Sequence, residues 1–486
     1  MLFNSPEFLL FFPVVTLFYY LLPYQYRWLL LLLASCFFYM FFKPIYILIL
    51  FFTIIIDFYA GILIENAQGH RRKFYLMWSL VANIGVLAIF KYYNFINENI
   101  TSFLHVFGVT NGIPYLSILL PIGLSFHTFQ AMSYTIEVYR GNQLAERKFG
   151  IYALYVMFYP QLVAGPIERP QNILHQFYEK HDFNAAGAVS GLRLMLLGFF
   201  KKIVIADRMA LLVNNVYNHP AQQNGLTYLI ASFFFTMQIY FDFSGYSDIA
   251  RGAARVMGFE LLLNFNRPFF AHKLTDYWRR WHISLYSWFN DYLYTPLSIS
   301  LRDWGKWAIV ASILITFSIS GLWHGAAWTY VLWGLLHGMG LSIESLTKKP
   351  FKQFRKSIGD KYYNGFTRIV TLIFVLCTFI IFRSANMHQV YIIFHSILTN
   401  AVPSMLKLRP GSTILNGVGN FSMISIVTIS IGGIMMLFAE YIYSLSKVKT
   451  VFFSSPSLRM ATYFALVYAI LFIGYFGEMQ FIYFQF

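Results

Sequence analysis

The sequence predicts an all-α polytopic membrane protein, and three observations predict it. Apolar runs of roughly 17–25 residues, the length that crosses a hydrocarbon core, recur from end to end. Charge is scarce, 12% of residues against 58% hydrophobic, so no long polar stretch exists from which to build a soluble domain. Aromatic residues abound, with 53 Phe and 35 Tyr in a chain of 486.

Thirteen candidate spans follow in order: 7–22, 27–42, 44–64, 74–94, 114–137, 150–165, 187–205, 226–245, 306–321, 325–345, 367–383, 421–445 and 460–477. The first stands behind an uncharged leader with Glu7 and lacks the basic flank of a secretion signal, so it is read as a retained span. Pro160, Gly165 and Pro166 interrupt the sixth, which points to a re-entrant or interfacial segment. Cys36 and Cys377 lie in different apolar segments and offer neither a disulfide framework nor a metal site.

Charge placement sets the expected orientation. The stretch Thr347–Arg368 carries Lys348, Lys349, Lys352, Arg355, Lys356, Lys361 and Arg368 against Asp360, and is expected on the cytoplasmic side. His70–Lys73 and Arg140–Lys148 belong on the same side. Counting spans from these loops, with Lys447, Lys449 and Arg459 marking a last cytoplasmic turn, puts both termini outside the cytoplasm. The net charge of +16 suits anionic lipid; no basic domain stands apart to bind nucleic acid.

Asp242–Asp291 is too polar for a lipid-facing span and too aromatic for a free loop. Short helices at the interface or dipping into the membrane are expected there, where a cytoplasmic substrate would be met. Within it, Asp242, Asp248, Arg251 and Arg255 sit at helical spacing and are expected to pair along one face. Trp278-Arg279-Arg280-Trp281 supports two readings. Arg279 and Arg280 could grip phosphates while Trp278 and Trp281 stack on a donor, or all four could form an interfacial basic-aromatic belt.

Phe317–His337 is the stretch on which the chemistry turns. His324, between Trp323 and Gly325, is a titratable ring in a membrane segment, a setting that marks function or a packed imidazole bonded to a carbonyl. In one straight helix His337 would lie roughly 20 Å away, too far to act on the same atom. No metal pattern is present, and no phosphate-binding loop of the kind that powers a pump.

Five segments in order carry a resemblance: Leu120–Gly141, Pro160–Pro170, Phe241–Glu260, Asp276–Leu297 and Ser320–Gly338. Together they resemble the membrane-bound O-acyltransferase (MBOAT) family, nearest its bacterial alginate and peptidoglycan O-acetyltransferase branch. Asn290 departs from the pattern, where Arg usually precedes the Asp, and Ser298 and Ile299 replace a Gly pair. The resemblance implies a ring of tilted helices, with re-entrant and interfacial helices, around a through-tunnel. It implies one integral domain over 1–486: N-terminal spans 1–113, a catalytic core 114–345, and C-terminal spans 346–486 ending in an outer-face aromatic tail. It further implies that His324 is the catalytic histidine and His282 a second important polar residue.

The function so implied is O-acylation at the bacterial inner membrane. An acyl group, acetyl above all, would pass from a cytoplasmic thioester (acetyl-CoA, with no bound cofactor) across the membrane to a polysaccharide acceptor. A periplasmic partner of serine-hydrolase type would complete the transfer. The alternatives are a D-alanyl transferase fed by a carrier-protein thioester, and a transporter without chemistry. The latter predicts inverted repeats, which the sequence lacks. The ending Phe481-Ile-Tyr-Phe-Gln-Phe486 resembles a motif on some of these enzymes in which Tyr relays the acyl group. Tyr483 is therefore either a relay or, like Phe481, Phe484 and Phe486, an interfacial anchor.

Overall fold

The computed structural model describes residues 1–117, 120–220, 223–406, 423–443, 445, 448, 450, 452, 454–477 and 479–484; side chains of 423–429, 443 and 484 are outside that description. Among the described residues the regular structure is helical throughout, with no strand. Six helices there are long and apolar enough to cross a membrane: Pro44–Asn66, Gly69–Val106, Gly225–Val256, Lys306–His324, Asp360–Arg383 and Pro456–Ile473. The chain is a multi-pass membrane protein. Lys447, Lys449 and Phe486, which bear on the expected orientation and tail, lie outside the described residues.

One compact unit comprises Met1–Leu196 and Tyr246–Leu263. Its helices Ile47–Asn66, Gly69–Leu87 and Leu124–Arg140 pack on one another. Thr53, Asp57 and Gly61, one turn apart on the first helix, all face inward. Asp57 is fully buried but not unpartnered: Ser79 Oγ donates to Oδ1 at 2.6 Å and Asn83 Nδ2 to both oxygens at 2.9 Å. A polar side chain is tolerated at that depth because its oxygens are hydrogen-bonded.

Two expected spans are shorter than read. The 114–137 segment becomes helical at Leu124, after Gly123 in a left-handed conformation. The 150–165 segment is helical over Phe149–Met157, about 14 Å and too short to cross. Phe158, at φ −51° and ψ 112°, breaks the helix, and the next turn begins at Tyr159 with Pro160 in its first positions. The loop that follows is fixed by Glu168, fully buried, whose Oε1 accepts from Leu262 N at 2.6 Å.

The second unit, Leu197–Gly245 with Asn264–Phe486, holds His282, His324, Tyr483 and the stretch Trp278–Trp281. Two expectations about the Asp242–Asp291 stretch are corrected. The break expected near residue 245 does not occur: one helix runs Gly225–Val256, and short helices begin only at Pro268. Nor do the four charges at its end pair as a set. Arg251 lies 3.9 Å from Asp248, Arg255 pairs with Glu260 at 2.7 Å, and Asp242 turns to Lys202 at 2.9 Å. The basic stretch Thr347–Arg368 is a helix, Lys348–Ile358, joined at Gly359 to Asp360–Arg383.

Candidate active site

The site is built on a helical hairpin. Lys306–His324 ends at His324, the backbone is extended at Gly325 and Ala327, and Trp328–Leu346 returns alongside. Glycine sets how close the two helices come. A Cβ on Gly321 would overlap the Tyr330 carbonyl oxygen, and one on Gly334 the Phe317 carbonyl oxygen. Backbone therefore meets backbone one turn before His324.

This turn overrides the straight-helix premise. His324 and His337 both pack on the fully buried ring of Trp333, at centroid distances of 5.1 and 4.8 Å. His337 nevertheless has a structural arrangement. Thr378 Oγ1 donates to Val375 O, so it accepts from His337 Nε2–H at 3.0 Å, while His337 Nδ1 accepts from Trp278 Nε1–H at 3.3 Å. Both ring nitrogens are engaged.

His282 stands between the helices Leu274–Trp278 and Ile283–Phe289, at φ 45° and ψ 54°. A left-handed conformation is uncommon away from glycine and is strained, a cost met at functional sites. Asn264 fixes its ring. The amide oxygen lies 3.1 Å from His282 Nδ1 and accepts from Ser284 N at 3.3 Å and Ser284 Oγ at 2.9 Å. An amide oxygen only accepts, so Nδ1 carries the proton and Nε2 is the basic nitrogen.

Tyr483 belongs to the short turn Ile482–Phe484. Its ring lies 5.8 Å from His324 and 6.1 Å from His282, centroid to centroid, with Phe243 at 4.5 Å and Phe481 stacked at 5.6 Å. Phe481, expected to anchor the chain end at an interface, is 1% exposed and packs against Phe243 and Tyr483 instead. The three residues His324, His282 and Tyr483, separated by up to 201 positions, thus meet in one cluster.

Of the four predicted donor-binding residues, Trp278 and Arg279 line one cavity and Arg280 and Trp281 do not. A cavity of about 1240 Å³ is lined by Arg279 and Trp278, together with Lys273, Lys348, Lys352 and Arg355. Its wall also includes Thr316, Phe317 and Ser320, the last of these one turn before His324. Arg280 is instead committed to Asp276 at 2.8 Å. Trp281 is buried, stacked on Tyr277 and edge-on to Phe265. Among the described residues no group of three or more His, Cys, Asp or Glu could hold a metal.

Sequence reading missed Asn264 and Trp333. Asn264 left a trace, a polar residue directly behind three leucines; Trp333 had none in a segment rich in tryptophan.

Comparison with known proteins identifies the family. Residues 148–385 match the family model of MBOAT, membrane-bound O-acyltransferase family. The chain is similar to the probable alginate O-acetylase AlgI of Pseudomonas aeruginosa, 35% identical over 397 residues, covering 80% of this chain and 73% of that protein. The peptidoglycan O-acetyltransferase of Helicobacter pylori is 29% identical over 453 residues, 86% of this chain and 81% of that one. The teichoic acid D-alanyltransferase of Streptococcus thermophilus is 30% identical over 287 residues, 55% of this chain and 69% of that one. On this breadth of similarity the chain belongs to the membrane-bound O-acyltransferase family and is an O-acyltransferase.

Proposed function

We propose that the protein takes an acetyl group from acetyl-CoA on the cytoplasmic side of the bacterial inner membrane and passes it outward through Tyr483. A periplasmic partner of serine-hydrolase type then delivers it to a cell-surface or secreted polysaccharide. The observation that carries this reading is the Tyr483 ring lying against both His324 and His282. A phenol is a poor nucleophile until a base removes its proton, and an imidazole beside it is such a base.

His324 takes the Tyr483 hydroxyl proton as the phenolate oxygen attacks the thioester carbonyl carbon. The tetrahedral intermediate expels the thiolate, which recovers the proton from the imidazolium. The product is an acetyl ester on Tyr483 and a free thiol. In the second half the partner's hydroxyl attacks that ester and the phenol is regenerated. His282, held in one tautomer by Asn264, presents its basic nitrogen to the same cluster and serves this outward step.

The donor belongs in the 1240 Å³ cavity, whose size suits a long nucleotide thioester and whose cations suit its phosphates. Trp278 lines that cavity, and Arg279, beside Tyr286 in the same wall, offers a guanidinium to a phosphate; Arg280 and Trp281 stand behind the wall. Similarity covering 80% of the chain for an alginate O-acetylase, against 55% for a D-alanyltransferase, favours acetyl over D-alanyl. Residues 1–486 form one membrane enzyme in this reading, with both termini outside the cytoplasm and the 114–345 core carrying the chemistry.

The test is acetylation of the native surface polymer in cells carrying His324→Ala or Tyr483→Phe at wild-type protein levels. Loss of the base lowers transfer by about 10²–10⁴, and Tyr483→Phe abolishes it while keeping the ring. Full polymer acetylation in Tyr483→Phe rejects the relay. Transfer from a carrier-protein thioester but not from acetyl-CoA would move the enzyme to the D-alanyl branch.

A further inference from the structure

A buried ionic network runs from the Gly225–Val256 helix to the chain's last turn. Ile482 N donates to Asp242 Oδ2 at 2.9 Å, across 240 residues of sequence. Asp242 is 2% exposed, and its Oδ1 lies 2.9 Å from Lys202 Nζ. Lys202, 4% exposed, also meets Asp207 at 2.7 Å. It is presented by a π-helical turn, Phe200–Ala206, a form that often marks functional sites. Its neighbour Lys201 is engaged separately with Glu440 at 2.6 Å, and Tyr240 Oη donates to that same carboxylate at 2.7 Å.

Such a network is a poor source of stability. Desolvating three charges offsets most of their attraction, and apolar side chains of the same volume do as well or better. What it supplies is a carboxylate fixed in direction, one oxygen engaged by Lys202 and the other by the amide next to Tyr483. The next side chain on the same helix, Phe243, touches both Tyr483 and His282, at 4.5 and 4.7 Å. Two consecutive helix residues therefore meet the tail, one at its backbone and one at its reactive ring.

We infer that Asp242 is a positioning residue: through the Ile482 amide it holds the chain end so that the Tyr483 ring stays against the two histidines. The inference rests on the reading of Tyr483 as acyl relay. Asp242 touches no reacting atom, and its effect falls on the rate of acyl transfer, with donor binding in the cavity unchanged.

The amide donor can be removed without changing any charged side chain. Ile482 is the first residue of its helical turn, where proline is accommodated. Ile482→Pro and Ile482→Ala both lose the side chain, and Ile482→Pro alone loses the N–H. In the full-length protein in native membranes, I482P should transfer acetyl at least tenfold more slowly than I482A, with the same donor KM. A hydrogen bond to a charged group is strong enough for that ratio. Equal rates for the two variants, with Tyr483→Phe inactive, overturn the positioning role alone. A wild-type rate in Tyr483→Phe overturns the relay and this inference with it. A rise in donor KM in I482P in place of a lower kcat marks general damage and counts against the claim. A second readout is independent of activity. The thiol of Ile482→Cys, buried in the wild-type setting at 1% exposure, should become reactive to maleimide when Asp242→Ala is added. Continued protection there overturns the inference.

Discussion

Gly321→Ala is the sharpest probe of how the hairpin sets His324, the proposed catalytic base. Its new methyl would overlap the Tyr330 carbonyl oxygen and lie 3.0 Å from the Tyr330 carbonyl carbon and 3.3 Å from Gly334 Cα. All three are backbone, so no rotamer change makes room. Carbon atoms rest at about 3.5–4.0 Å, so the helices must separate by roughly 1 Å. Overpacking of this kind costs about 1–3 kcal/mol, which lowers stability without preventing insertion. The functional cost is larger. His324 lies three residues further on, and misplacing a catalytic group by 1 Å costs about 10²-fold in rate. The assay is polymer acetylation per unit of membrane-inserted protein, beside Gly365→Ala, whose Cβ meets no atom within 4 Å. Gly365→Ala should match wild type while Gly321→Ala falls about a hundredfold. Wild-type transfer by Gly321→Ala would refute the idea that close helix contact places His324.

Other perturbations separate the roles of neighbouring residues. Asn264→Ala removes the acceptor from His282 Nδ1 and Ser284 and should lower kcat at least tenfold with donor KM unchanged, in steady-state acetyl transfer on membranes. Arg279→Gln should raise donor KM several-fold with kcat within about twofold, because a phosphate's charge does not change during acyl transfer. Arg280→Gln should have the smaller KM effect, since its guanidinium already serves Asp276. Thr378→Val leaves a buried His337 N–H without its acceptor, at about 1–3 kcal/mol. It should lower the thermal midpoint of the purified protein and leave kcat near wild type.

Legibility in the sequence tracked how local each determinant was. The helical class and the membrane setting follow from apolar run length, which depends on neighbours in sequence alone. His324 and His282 stood out because a polar ring in an apolar or aromatic stretch is conspicuous. The helix boundaries were less readable: Pro160 shortens one span, whereas nothing near residue 245 warns that a helix of 32 residues continues to Val256. Long-range pairing was hidden altogether. Asp242 shares a helix with Arg251 and Arg255, 9 and 13 residues further on, yet its partners are Lys202 and the Ile482 amide. The same holds for Trp278, whose cavity wall is legible as aromatic while its hydrogen bond to His337 comes from the hairpin fold. Trp281 is the converse: an aromatic beside an arginine reads as a stacking surface, and the sequence does not reveal that Tyr277 stacks on it.

The central claim is that the acetyl group rests covalently on Tyr483 on its way out, and mass spectrometry of the protein itself tests it most directly. Purified full-length protein is incubated with acetyl-CoA in the absence of the periplasmic partner, quenched in acid, and its C-terminal peptide analysed. An acetyl ester on Tyr483, absent from His324→Ala and from Tyr483→Phe, is the predicted result. An unmodified Tyr483 in a preparation that consumes acetyl-CoA and acetylates polymer once the partner is added would contradict it.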